Sequence, residues 1–401
     1  MQATPVANII EQVFTFVDSP RERPWVSMGA LCIFIILGAA WVNQAQVLPG
    51  VSVSETGLNG SIVDIMWDED GERALALVED GNSQTLMIRN QNGDWQELDC
   101  NCNPNAIGGN DDIWVAGGDD GWFGVMNAGS NGIATRSINW SPGAAPDIIS
   151  LDGDQSAGWM IVEHATVRTV HTWLDLNVSE GASYPISDIV LDGIKEVTGG
   201  ALVIGHDTAS NPSLGITSEV LIDAERNSSG APKLTLLHRG AGASFHTIIS
   251  LDDSSNCIPN CLIAIVAGGD AIYGVTSDTT AGRNVHRIAG SIGVKTITMD
   301  GQDMLWFKSD NGLSTMMIGD LEPTIVKTPD GTPTDLSDAA MAGDNVVLYS
   351  DDGSTRITID PTAQNSLLRS LSLLGDLILV LTFVAFAGFG GHALLRKHEV
   401  L

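Results

Sequence analysis

The sequence predicts an all-β fold, a seven-bladed β-propeller, flanked by two transmembrane α-helices that hold it outside the cell. Three observations predict this. A strand–turn–strand unit recurs along the 401-residue chain, its turns are rich in Asp-Gly and Asn-Gly, and uncharged apolar stretches stand near both ends.

The unit is clearest in IWVAGGDDGWFGVM (113–126), where two apolar runs flank a Gly-Gly-Asp-Asp-Gly turn. Further copies run over 74–88, 158–173, 201–222, 262–276, 305–318 and 346–359. Anchored on the turn residue (Gly81, Gly121, Ala165, Thr208, Asp270, Gly312, Gly353), they lie 40, 44, 43, 62, 42 and 41 residues apart. Hairpins repeating every 40 to 45 residues or so are the mark of a propeller. The one long interval contains SNPSLG and ERNSSGAPK, which are loop-forming runs. One strand precedes several of these hairpins, as in SIVDIMWDEDG (61–71), PDIISLDGD (146–154), HTIISLDD (246–253) and KTITMDGQD (295–303). Another follows, as in DWQELDC (94–100) and TRSINW (135–140), giving four antiparallel strands per blade. Tight hairpin loops need positive φ, which Gly and Asn tolerate. A long β-sandwich is the competing arrangement, and the regular spacing favours the ring.

The last unit offers only three strands, LSDAAMA, VVLYSDD and STRITID, before Pro361. The run QVLPGVSVSET (46–56) is predicted to supply the fourth, closing the ring and removing its open edges.

Residues 25–42 carry no charge, and Trp25 and Trp41 stand at the two ends. Helical rise places those indoles about 24 Å apart, near the two edges of a hydrocarbon layer. Residues 371–395 are interrupted only by Asp376 and His392. Arg21 and Arg23 precede the first stretch, while Arg396 and Lys397 follow the second, so both termini are expected in the cytoplasm. The expected organisation is a cytoplasmic segment 1–24, helix 25–43, propeller 45–362, helix 370–395 and cytoplasmic tail 396–401. Within the first segment, Val6, Ile9, Ile10, Val13, Phe16 and Val17 follow the spacing of a short amphipathic helix. A cleaved signal peptide is the alternative for 25–42; the long leader and the missing small-x-small site oppose it. Asp376 is an intramembrane polar residue, placed near enough to the outer edge to reach the interface.

The net charge is −30, with Asp+Glu 49 against Lys+Arg 19. Neutralising phosphates needs basic side chains, so nucleic acid is excluded as a partner. Such a surface attracts cations or basic partners instead. Membrane lipid and other membrane or extracytoplasmic proteins are the partners expected.

Cys257 and Cys261 read as a loop-stapling disulfide in the oxidising exterior. Cys100 and Cys102 are so close in sequence that a disulfide and free thiols are balanced readings. Asn59, Asn139, Asn177 and Asn227 each open an Asn-x-Ser sequon and are glycosylation candidates. The acidic turns Asp68-Glu69-Asp70-Gly71 and Asp119-Asp120-Gly121 have oxygens suited to Ca²⁺, but hairpin turns use the same residues without metal. No cofactor, metal ligand set or catalytic residue is predicted. The eight histidines show no ligand spacing, and no nucleophile elbow, P-loop or dinucleotide fingerprint occurs.

The blade pattern in IWVAGGDDG resembles the repeats of BNR-like and photosystem-assembly-factor-like propellers. SDNGLST (309–315) and SDDGST (350–355) echo the acidic turn of sialidase Asp-boxes without its Trp. The resemblance covers the outer domain only. It implies a fold and a binding habit, and carries over no catalytic residue. The expected function is a membrane-anchored extracytoplasmic propeller acting as a protein-binding or assembly module. The alternatives are an extracytoplasmic enzyme of glycosidase or quinoprotein type, or a structural subunit of a membrane complex.

Overall fold

The computed structural model describes residues 47–365 except Asn82, 141–144, 186–187, 209–217, 241, 243–244, 252–259, 269–270, 279–281, 291–292, 310–311 and 321, together with Val380. The amphipathic segment and both predicted spans lie outside these residues but for Val380, and so does Asp376. Among the described residues no helix is long and apolar enough to cross a membrane.

Seven four-stranded antiparallel sheets follow one another along the chain. Blade 1 comprises β2 (Ser61–Trp67), β3 (Ala74–Asp80), β4 (Ser83–Arg89) and β5 (Trp95–Glu97). Blade 2 comprises β6 (Pro104–Gly109), β7 (Ile113–Gly118), β8 (Phe123–Asn127) and β9 (Ala134–Arg136). Blade 3 has β10 (Asp147–Gly153), β11 (Ala157–His164), β12 (Val167–Leu174) and β13 (Asn177–Val178). Blade 4 has β14 (Ile189–Val197), β15 (Gly200–Asp207), β16 (Ser218–Arg226) and β17 (Pro232–Arg239). Blade 5 has β18 (Phe245–Ser250), β19 (Asn260–Gly268), β20 (Ala271–Asp278) and β21 (Gly282–Gly290). Blade 6 has β22 (Thr296–Met299), β23 (Met304–Ser309), β24 (Gly312–Met317) and β25 (Thr324–Ile325). Blade 7 has β26 (Leu336–Ala342), β27 (Asn345–Ser350) and β28 (Thr355–Ile359), and its outer strand is β1 (Val51–Glu55).

Closure is therefore made by the chain's own two ends, as the strand count predicts. Val51 pairs with Ile359 and Glu55 with Thr355, so β1 zips along the whole of β28. The first strand of each blade lies against the first strand of the next, and β26 against β2 completes the circle. At the seam Thr56 Oγ1 donates to the Gly353 carbonyl at 2.5 Å. Gly353 (φ +67) and Gly60 (φ +125) approach so closely there that a Cβ on Gly353 would collide with the Gly60 carbonyl.

The cores lie between blades. The second strand of each blade is enclosed on both faces; Ala74 to Val78 are buried at five successive positions. One cluster joins Ile62, Ile65 and Trp67 of blade 1 to Val347 and Tyr349 of blade 7. Leu75, Leu77 and Leu86 of blade 1 pack with Trp114 and Met126 of blade 2. Burying each such side chain is worth about 1.5–3 kcal/mol, so each seam between blades contributes as a core does. The outer strands are shorter than the sequence predicts. In blade 2 the strand stops at Arg136, and Ile138 and Trp140 leave the ladder to pack on the core shared with blade 3.

Register fixes the two faces of the ring. Ser61 pairs with Glu79, so each first strand starts beside the turn between the second and third strands of its blade. The acidic turns at Asp80-Gly81, Asp119-Asp120-Gly121 and Asp351-Asp352-Gly353 share that hairpin face. The chain enters β1 and leaves β28 at the opposite face, where Asp360 N donates to the Gly50 carbonyl at 3.0 Å.

Candidate functional site in the central channel

The first strands line the channel, and six of them share one irregularity. Register slips by one residue between Ile62 and Asp64, Pro104 and Ala106, Ile148 and Ser150, Leu191 and Gly193, Phe245 and Thr247, and Leu336 and Asp338. In blade 6, Lys295 and Thr296 likewise both face Lys308. A bulge leaves two residues opposite one and re-aims a side chain. The position just after it reads Asp64, Ala106, Ser150, Gly193, Thr247, Thr296 and Asp338 around the ring. Two of the seven are acids, and they stand in neighbouring blades.

Their local geometry is the same. Asp64 Oδ1 accepts from Ile65 N at 2.8 Å, and Asp338 Oδ1 accepts from Ala339 N at 2.8 Å. Asp338 Oδ2 is buried without a hydrogen-bond partner. Asp64 remains reachable by water while protein surrounds it, as befits a wall of a narrow channel. Burial pushes the Asp64 carboxyl up to about 6, against the pull of Lys195. Burial, and then the charge of Asp64, hold Asp338 well above the usual carboxylate range. A second group lies on the first strands of blades 3 and 4. Lys195 Nζ donates to Asp152 Oδ1 at 3.1 Å, and Glu196 N donates to Asp152 Oδ2 at 2.8 Å. Burial first, then the Asp152 charge, push Glu196 up to about 7.

This arrangement fixes a pH dependence. The folded state holds protons on Asp64 and Asp338 that the unfolded chain, with carboxyls near 3.8, releases. Folding stability contributed by Asp64 therefore rises as pH falls through about 6 and levels off below 3.8, and Asp338 acts in the same direction. Asp338→Asn is expected to raise the melting temperature at about pH 7.5, with the gain shrinking toward about pH 5. Differential scanning calorimetry at the two pH values checks this; a gain that grows on acidification contradicts it.

A second network sits across blades 3 and 4. Arg168 bridges Glu163 at 2.7 Å and Asp192 at 3.0 Å, and His206 Nδ1 lies 2.5 Å from Asp192 Oδ2. His206, near the end of β15, thus has a defined partner.

The predicted site residues fare differently. The Cys100 and Cys102 sulfurs lie against each other, with Cα atoms 5.2 Å apart, between blades 1 and 2. Cys257 lies outside the described residues, and Cys261 falls within β19 rather than in a loop. Asn59, Asn139, Asn177 and Asn227 are all exposed. Two of them are tied together, Asn139 Nδ2 donating to Asn177 Oδ1 at 3.1 Å. Asn227 Oδ1 is taken by Ser229 N, Ser229 Oγ and Ala231 N. The carboxylates of the acidic turns are taken up by protein donors. Asp68 Oδ1 accepts from Glu72 N and Arg73 N within its own turn, while Asp119 accepts from Asn105 Nδ2 at 2.8 Å and Asn103 Nδ2 at 3.2 Å. The channel acids escape a motif search. Their signal is an acid inside an otherwise apolar first strand, SIVDIMW and LSDAAMA.

No family model matches the chain, and no curated protein matches it. Solved structures do. YCF48 from Cyanidioschyzon merolae is similar at 12% identity and TM-score 0.52, over 78% of this chain and 99% of that one. The fold is shared. The Swd1 β-propeller domain of Myceliophteria thermophila is similar at 8% identity and TM-score 0.51, over 77% and 99% of the two chains. A streptogramin B lyase structure is similar at 12% identity and TM-score 0.53, over 77% and 98%. The repeat-level resemblance to photosystem-assembly-factor-like propellers thus holds in three dimensions, as a likeness of fold.

Proposed function

We propose that the protein is a two-pass membrane-anchored propeller, held outside the cytoplasm, that binds other proteins as an assembly or scaffold module. The observation that carries the reading is where the chain enters and leaves the ring. Gly50 and Asp360 are hydrogen-bonded neighbours at the face opposite the acidic hairpin turns. From that corner the sequence runs one way toward the uncharged stretch 25–42 and the other way toward 371–395. The acidic turns of the hairpin face are read as the surface that meets partners with basic surfaces. The fold-level likeness to YCF48, an assembly factor, and to the Swd1 propeller domain supports a binding role. The paired Cys100 and Cys102 sulfurs are consistent with an oxidising exterior.

The chain has few lysines, which makes its orientation easy to read. Lys233 is exposed on blade 4, and Lys397 lies in the predicted tail. In intact cells a membrane-impermeant amine reagent is expected to label Lys233 and spare Lys397. Labelling of Lys397 with Lys233 spared would reverse the topology. Partners retained in mild detergent are expected to be lost when Asp80, Asp120 and Asp351 of the hairpin face are changed together to Asn. Unchanged recovery would remove that face from the binding site.

A further inference from the structure

We propose that the Cys100–Cys102 disulfide is a thiol–disulfide exchange site, open to a thiol carried by a positively charged partner, such as a cysteine on a basic protein surface. The two sulfurs are joined between β5 and β6, in the link that crosses from blade 1 to blade 2.

Its setting differs from that of a structural staple. A bond between residues two apart closes a very short loop, and the constraint that a disulfide places on the unfolded chain grows with loop length. The segment is already held at both flanks. Leu98 N donates to the Leu86 carbonyl at 2.9 Å, and Asp119 N donates to the Asn103 carbonyl at 3.0 Å. Asn103 Nδ2 returns a bond to Asp119 Oδ2 at 3.2 Å. The link therefore keeps its path when the bond opens, and the two thiols stay side by side, placed to close again. Between them Asn101 has a φ of +46°, left-handed backbone that Asn tolerates better than most residues.

The bond is also within reach of a reagent. One side of it packs on the core around Leu86 and Leu98. The other faces a cleft of about 200 Å³, lined by both cysteines with Gln84, Thr85, Glu97 and Asp99. Both cysteines are half-buried, and Asn101 between them is exposed. Disulfides accessible to attack are the labile ones.

The exchange balances within the site and its partner. A partner thiolate attacks one sulfur, a mixed disulfide forms, and the Cys100–Cys102 bond breaks. A second partner thiolate then attacks the mixed disulfide and releases the other cysteine. Each released cysteine thiolate takes up the proton that an attacking thiol gave to water. The partner is oxidised by two electrons to a disulfide, and the protein is reduced to its dithiol. Run in reverse with a partner disulfide, the same steps restore the bond.

Charge selects among thiols. Glu97 and Asp99 stand exposed at the cleft, none of the described residues lining it is basic, and the chain carries −30. An anionic thiol is repelled there and a cationic one drawn in.

The test reduces the full chain, folded in mild detergent, with cysteamine, 2-mercaptoethanol or glutathione at equal thiolate concentration and low salt. Alkylation followed by peptide mass spectrometry reads Cys100 and Cys102 apart from the other cysteines. The bond is expected to open without denaturant, about tenfold or more faster with cationic cysteamine than with anionic glutathione. That ratio is expected to shrink toward one in about 0.5 M NaCl. It should also shrink in Glu97→Gln/Asp99→Asn, with the rate for neutral 2-mercaptoethanol unchanged. Cys100→Ser is expected to melt with the parent. The rates of the parent chain carry the test even if a variant fails to fold. Free thiols at Cys100 and Cys102 in the unreduced chain overturn the proposal, as does a bond that opens only on denaturation. Rates blind to the charge of the thiol, or a Cys100→Ser chain that melts far below the parent, also overturn it. The assay uses purified chain, so its outcome is separate from the membrane reading, which the lysine labelling decides.

Discussion

Ser54→Pro is expected to destabilise the propeller by about 3 kcal/mol or more, while Val53→Pro, one residue away, is expected to cost much less. The difference follows from which N–H groups of β1 face β28. Asp360 N donates to the Gly50 carbonyl and Thr56 N donates to the Ser354 carbonyl at the two ends of the pairing. Hydrogen-bonded pairs alternate along an antiparallel ladder, so the intervening bonded positions are Ser52 and Ser54, opposite Thr358 and Arg356. Val53 directs its N–H outward from an edge strand, where proline is tolerated. The penalty at Ser54 exceeds that of an ordinary lost bond because β1 closes the circle. If it peels away, β28 becomes an open edge, and blade 7 stays joined to blade 1 by packing alone, β26 against β2 and Val347 and Tyr349 against Ile62 and Trp67. Thermal unfolding gives the size of the effect. Amide exchange should show protection lost first along β28 in Ser54→Pro. Equal destabilisation by the two proline variants would contradict the closure argument.

That closure was legible from residue counting, and the reason is physical. Strand alternation and turn chemistry are local properties, so hairpins such as 113–126 declare themselves, and their spacing counts the blades. The three-strand remainder at the end of the chain then demanded a partner, and VSVSE was the free strand-like run. The channel was not legible in the same way. A bulge inserts one residue and exchanges the faces of everything beyond it, yet nothing in the composition of SIVDIMW marks where the slip falls. Asp64 and Asp338 lie far apart in sequence and meet only because the ring closes. His206 and Asp192 pair across two strands of one blade, joining a residue near the end of β15 to a bulge residue of β14. Those encounters depend on register, which sequence spacing does not encode.

The second large effect concerns a charge pair that ties blade 5 to blade 4. Arg283, on the outer strand β21, reaches across the seam and bonds Asp223 of β16. The same guanidinium donates to the Ala201 carbonyl at 3.2 Å and the Thr198 carbonyl at 2.8 Å. The two side chains are 6% and 9% exposed, so each charge is stabilised by the other rather than by water. Burial already pushes the Asp223 carboxyl above its ordinary value, and Arg283 is the main group opposing that. Arg283→Ala therefore strands an acid in a dry seam and leaves two carbonyls without a donor. The expected cost is about 3–5 kcal/mol, a fall in melting temperature on the order of 10 °C. Adding Asp223→Ala to Arg283→Ala removes the stranded charge, so the double variant is expected to be more stable than Arg283→Ala alone. The sign with pH is also fixed. Asp223 in the single variant titrates above its unfolded value of 3.8, so the penalty is largest above the folded value and fades as pH falls through it. Unfolding curves of the four chains of the cycle at two pH values measure both effects. A double variant no better than the single one would mean that the arginine acts through packing and its carbonyl bonds, and that the charge pair adds little to the seam.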